Sequence, residues 1–264
     1  MYVVAERDLA IFTLGRLPDE PGPRTRAQDI AARLQAALAG RRMTQSEAAE
    51  AMGAQHHNQL RYAAPTGTVA IRWDGARQAD VWNVPAPEMD PQAARLELAR
   101  RYLHVFGPAT PQAFADWAGI RLSSGVTAFE TLNEELTPVR TPIGEAWILA
   151  QDEPEFLAPA GPPAPARLLP SGDTWYLLQG ADRALLVPDE RQRSALWTSR
   201  VWPGALLVEG ETAGTWRRVG HVLTVQPWRH LAGAAREAVE AEAASMPLPG
   251  IDRPVEVRWD QQLT

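Results

Sequence analysis

Thr44-Gln45-Ser46-Glu47 opens the stretch that decides the fold, and the stretch runs on to Val84. Thr44 and Glu47 have capping-box spacing: the hydroxyl accepts from the Glu47 amide while the glutamate reaches back to the Thr44 amide, which sets a helix start. Gly53 ends that helix. A second short helix is expected from Gln55 to Ala64. Thr68 to Trp73 then reads as a strand, Asp74-Gly75 as a turn, and Val81 to Val84 as a returning strand. Helix, turn, helix and hairpin in this order make a winged helix.

The pattern occurs twice. Thr110 repeats the cap, with Pro111 at the first helical position, where its missing amide costs nothing. Gly119 follows Thr110 by the same interval that separates Gly53 from Thr44. Ser123 or Ser124 opens the next helix, with Val126, Phe129 and Leu132 on one side, and Ile143 to Leu149 supplies a wing strand. Two copies of one small module imply a built surface, and the commonest use of the module is nucleic-acid binding.

Outward from these modules the punctuation sets the organisation. Residues 1–18 read as a strand and short helix, and Pro18 to Pro23 as a linker. Residues 24–40 carry Ile30, Leu34, Ala37 and Leu38 at helical spacing. Asp90-Pro91 opens the counterpart helix, whose stripe is Leu96, Ala99, Tyr102, Leu103 and Phe106. Pro154 to Pro170 is proline-rich and marks a boundary. Beyond it, six short strands are expected: 167–169, 174–178, 184–187, 205–208, 212–217 and 222–225. With a helix at 231–244 and a last strand at 255–259, they suggest a small β-barrel. The expected class is therefore α+β, with tandem winged helices at 24–90 and 91–153, preceded by residues 1–23 and followed by a barrel over 165–264.

Composition excludes several chemistries. The chain has 264 residues, 45% of them hydrophobic, enough for a sizeable core divided among two or three domains. It has no cysteine, which removes disulfides, thiolate nucleophiles and iron–sulfur clusters. It has no lysine either, so its 26 basic residues are all arginine and a lysine Schiff base is excluded. The first residues lack the basic start and long apolar run of a signal peptide. The expected location is the cytoplasm, with no membrane partner.

The net charge of −6 works against nucleic-acid binding, because nonspecific affinity rests on neutralising phosphates. Total charge is not the field at one face, however. Arg61, Arg72 and Arg77 lie in or beside the first recognition helix and wing, whereas acids crowd residues 130–155 and the C-terminal helix. His56 and His57, with Asn58 and Gln59, have the reach to contact bases from that helix. Adjacent histidines point about 100° apart on a helix, so the pair does not make a metal site. Asp173 and Asp182-Arg183 sit among apolar segments, either as a structural ion pair or lining a DNA face. The tryptophans read mainly as core anchors. No phosphate-cradling glycine loop, nucleophile elbow or paired-histidine zinc helix is present, and no cofactor or metal is expected.

Several segments resemble a known bacterial family. They are Leu60-Arg61-Tyr62-Ala63 through Ile71-Arg72-Trp73-Asp74-Gly75, and Ala99 to Leu103 with Phe106 to Pro111. Leu168-Leu169-Pro170 with Asp173 and Asp182-Arg183, and Leu207 to Gly210 with Gly214 to Arg217, complete the set. They look like the winged-helix DNA-binding family that includes the AlkZ and YcaQ type DNA glycosylases. The resemblance covers nearly the whole chain and implies tandem winged helices followed by a small β-barrel. It further implies double-stranded, lesion-containing DNA as partner, and excision of alkylated or crosslinked bases.

One departure is informative. Glycosylases of this type carry a glutamine, an apolar residue and then a glutamine or aspartate within an additional N-terminal winged helix, where the pair orients the attacking water. The motif is not found at the corresponding place: Gln35-Ala36-Ala37 and Gln55-His56-His57 both fail the pattern, and the chain is expected to start at the strand after that module. Asp173 and Asp182 remain as carboxylates to activate water. Three functions are compatible: binding of duplex or damaged DNA, base excision, and a protein-interaction scaffold on winged helices.

Overall fold

The computed structural model describes residues 4–54, 56–72, 79–178, 180–199, 201–248 and 250–260, without the side chains of His57 and Asn58. The chain divides into two compact units, Met1–Phe156 and Leu157–Thr264. Both mix helix and strand.

The first unit begins with a 3-10 turn at Glu6–Asp8 and α1 (Leu9–Leu14). No strand precedes them among the described residues. α2 (Pro21–Leu38) starts inside the stretch expected to be a linker. Proline costs nothing in a first helical turn, so Pro21 and Pro23 initiate the helix. β1 (Met43–Thr44) leads into α3 (Gln45–Ala51), and both hydrogen bonds of the Thr44–Glu47 capping box are formed. Next come 3-10 helices at His57–Tyr62 and Ala64–Thr66, then β2 (Val69–Arg72) and β3 (Asp80–Asn83). The expected second helix is therefore a 3-10 helix rather than an α-helix. The strands pair antiparallel in the order β1-β3-β2. Leu34 and Leu38 of α2, Ala48 of α3, Leu60, Val69 and Val81 close the core under them. Each buried leucine contributes about 1.5–3 kcal/mol.

α4 (Pro91–Phe106), α5 (Pro111–Ala118) and α6 (Leu122–Thr131) follow. Thr110 caps α5 by accepting from Ala113, and Gly119 ends it at φ 68°. α6 begins one residue before the expected serines and has no side-chain cap. β4 (Leu136–Thr141) and β5 (Gly144–Leu149) form a hairpin. Tyr102, Phe114 and Trp117 pack with centroids 5.0–6.4 Å apart, and Phe129 meets Trp147 edge-on at 6.1 Å. Arg95 ties α4 to the segment before α2, donating to the Gly15 and Leu17 carbonyls and to Asp19. α7 (Glu153–Leu157) closes this unit, with its last residue falling in the next.

The second unit contains β6 (Ala166–Leu169), a 3-10 helix at Thr174–Leu177, α8 (Gly180–Leu186) and α9 (Glu190–Leu196). β7 (Gly204–Val208), β8 (Glu211–Val219), β9 (Val222–Pro227), α10 (Gly233–Ala244) and β10 (Glu256–Trp259) complete it. Two expected strands, at 174–178 and 184–187, are helical. Asp173 accepts from the Trp175 amide and opens a helical turn, and short apolar runs do not by themselves separate strand from helix. The sheet order is β10-β9-β8-β7-β6, antiparallel throughout except for the parallel β9–β10 pair. Among the described residues β6 and β10 do not pair, so the sheet is open and the expected closed barrel is not formed. α10 packs against β6 instead, burying Val239 and Ala243 with Leu168 and Leu206. Gly204 is required where the Trp216 indole donates to the Leu169 carbonyl at 3.0 Å, because a Cβ there would overlap the ring.

Candidate nucleic-acid interface

The His57–Tyr62 helix crosses the surface beside α2. Leu60 and Ala63 are buried against Leu34 and Ala49, so the neighbouring positions turn outward. Arg61 is exposed, His56 is exposed and Gln59 is half-buried. Arg77 and the side chains of His57 and Asn58 lie outside the described residues. Arg72 is exposed at the end of β2, opposite Asp80 on β3. Asp80 itself pairs with Arg42 at 3.0 Å, and the Arg42 guanidinium lies 4.5 Å from the Trp82 ring centroid.

α2 adds groups that the sequence reading passed over. Arg26 and Arg33 are exposed, two helical turns apart on the side away from Leu34. Arg26 lies 5.3 Å from the Tyr62 ring centroid, and so does Arg61. Arg61, through its hydrogen bond and charge, lowers the phenol below its ordinary value, with Arg26 assisting. A groove of about 650 Å³ runs between α2 and the short helix, lined by Thr25, Arg26, Asp29, Arg33 and Gln59 among others. The available signals were the seven-residue spacing of Arg26 and Arg33 and the adjacency of Arg61 to Tyr62.

α6, the helix that precedes the β4–β5 hairpin, presents different chemistry. Its N-terminal Arg121 pairs with Glu20 at 2.8 Å, and Ser124 donates to Asp19 at 2.6 Å. Burial works against a charged Asp19, but the hydrogen bonds from Arg95 and Ser124 outweigh it and hold the carboxyl below its ordinary value. Glu130, Glu134 and Glu135 are exposed on α6 and just after it, and Glu135 takes a two-pronged bond from Arg100. Among the described residues, exposed arginines without a carboxylate at ion-pair distance are thus concentrated on the first half of this unit.

In the second unit Asp173, Asp182 and Arg183 do not meet as an ion pair among the described residues. Asp173 is spent on the Trp175 amide. Asp182 is half-buried on α8, and burial pushes its carboxyl above the usual value. Arg183 donates to the Leu178 carbonyl and lies 4.8 and 5.8 Å from the Trp197 and Trp202 rings. Burial lowers its guanidinium. Trp175 stacks on Trp197 at 5.5 Å, which leaves these tryptophans packed on one another. No three His, Asp or Glu side chains converge to hold a metal among the described residues. No helix there is long and apolar enough to cross a membrane.

A family profile described as DNA glycosylase AlkZ-like matches residues 13–247. The chain belongs to the AlkZ-like family. Over 162 residues it is 31% identical to an interstrand DNA cross-link repair glycosylase of Streptomyces sahachiroi, a match that takes in 59% of this chain and 42% of that protein. The matched stretch therefore spans less than half the length of that relative. The solved structure of the Streptomyces sahachiroi DNA glycosylase AlkZ is similar with a TM-score of 0.72 at 20% identity, covering 96% of this chain and 76% of the other. At that identity the likeness is one of fold. In this AlkZ-like chain the triplet Gln78-Ala79-Asp80 does have the glutamine–apolar–acid spelling that the sequence reading passed over. Asp80, however, stands on β3 engaged by Arg42, and Gln78 lies outside the described residues.

Proposed function

We propose that this AlkZ-like chain binds duplex DNA, including lesion-containing DNA, through the first half of the first unit, acting there as a winged helix with His57–Tyr62 in the recognition position and β2–β3 as the wing. The observation that carries the reading is the set of exposed arginines 26, 33, 61 and 72 on one module of an otherwise acidic protein. A locally basic face on a net-negative chain is what phosphate contact requires. The order α4, α5, α6 and hairpin supports a second winged helix behind it, whose recognition position is acidic.

Fluorescence anisotropy with a duplex, titrated across salt, tests this. Arg61→Ala with Arg72→Ala should weaken binding across sequences and flatten the salt slope by about two at most. Unchanged affinity, with the fold intact by circular dichroism, overturns this face as the binding surface.

Base excision is the second reading, favoured by family membership. It needs a water-activating group beneath the sugar of a flipped nucleotide. Of the two candidate carboxylates Asp173 is engaged as a cap, which leaves Asp182, half-buried on α8, as the candidate.

A further inference from the structure

Arg26 comes from α2 and Arg61 from the 3-10 helix, yet both guanidinium groups lie 5.3 Å from the centroid of one phenol ring. That ring belongs to Tyr62, which keeps 43% of its surface open. Arg24, Arg42, Arg95, Arg100, Arg101 and Arg121 of the same unit each have a carboxylate within ion-pair distance. Arg26 and Arg61, like Arg33, Arg41, Arg72 and Arg140, have none among the described residues. Two cations drawn to one ring repel each other, and the electron-rich face offsets only part of that repulsion.

We infer that Arg26, Tyr62 and Arg61 form a clamp for a single backbone phosphate of duplex DNA. The guanidinium fork suits phosphate oxygens, and the phenol hydroxyl adds a donor. α2 offers little through its own N-terminus, since Pro21 and Pro23 have no amide hydrogen to give. The anion is therefore held by side chains. Asp29 lines the groove that takes in Arg26 and Arg33 and repels any ligand that would bring several phosphates into it. A diester strand, with one charge per phosphate and neutral sugar between, passes Asp29 and meets Arg33 further along α2. This assignment rests on the DNA-binding reading above, and makes α2 a contact helix.

The test is a double-mutant cycle on the full chain with a short fluorescein-labelled duplex. Arg26→Gln and Arg61→Gln should each weaken binding about tenfold or more. Because one phosphate is shared, the double variant should be little weaker than either single. Tyr62→Ala should weaken binding too and make the two arginine effects independent. All three side chains are exposed, so melting temperatures should stay at the wild-type value. Independent, multiplying effects of the two arginines in the presence of Tyr62 overturn the shared clamp but leave DNA binding standing. So does full affinity in Arg26→Gln. A wild-type chain without salt-dependent duplex binding overturns both the clamp and the reading beneath it.

Discussion

Arg95 is only 5% exposed, and it spends its guanidinium on two carbonyls and Asp19. Removing it leaves the two carbonyls unsatisfied, while Asp19, partly exposed, keeps Ser124 and Arg24, so Arg95→Ala should destabilise the first unit by about 1–3 kcal/mol, read from urea denaturation. Asp19 adds a pH dependence. Its folded carboxyl is lowered, so its contribution is present above the ordinary carboxylate range and is lost as pH falls through the lowered value. His104 runs the other way. The hydrogen bond and charge of Asp152, 2.9 Å from its Nδ1, with Glu155 assisting, raise the imidazole above 6.5. That contribution is complete below 6.5 and fades as pH rises through the raised value. Melting curves of wild type and His104→Ala should therefore converge as the buffer is made alkaline. A gap that stays constant with pH removes the ion pair from the account.

Thr44→Ala should cost about 1 kcal/mol, because the capping box on α3 loses its acceptor for the Glu47 amide. Gly204→Ala should cost about 1–3 kcal/mol by driving a methyl into Trp216, and a calorimetric scan would show it. These elements divide by how far their signals reach. Thr44 with Glu47, and Thr110 with Pro111 and Gly119, act within one or two turns, so the helix starts they set were legible in the sequence. Residues 174–186 were misread because a local cap at Asp173 decides between two states that the apolar pattern leaves equal. β4 went unread because its strand character depends on pairing with β5. The Arg26–Tyr62–Arg61 grouping joins two elements far apart in sequence. Arg61 alone was visible, and its partners were fixed by packing.

Residues 153–163, about the boundary between the two units, are all exposed, with Leu157 at 77%. Thermolysin should cut there first, near Phe156 and Leu157. First cuts at Gly53 or Gly119 would contradict that boundary. For the excision reading, the chain of 264 residues should remove little or no N7-methylguanine from a duplex in single-turnover assays scored against protein-free depurination. A flipped base needs a water held by more than one positioned group, and with Asp173 engaged as a cap only Asp182 of the two candidate carboxylates is left to act. Excision clearly above the control and abolished by Asp182→Asn would establish catalysis in the second unit. The open sheet of that unit has a further consequence. An unclosed sheet has two margins, and each invites another chain to add a strand. β6 is guarded by α10, whose Glu242 takes the Arg167 guanidinium and approaches the Leu168 amide. β10 is guarded by composition, since Glu256 and Arg258 face solvent while Val257 and Trp259 face inward. Four residues that alternate charged outward with apolar inward make a short, poorly adhesive border. Solutions of this protein should therefore tolerate concentration without fibrillar growth, and replacing Glu256 and Arg258 together with valine should turn that border into a seed for it.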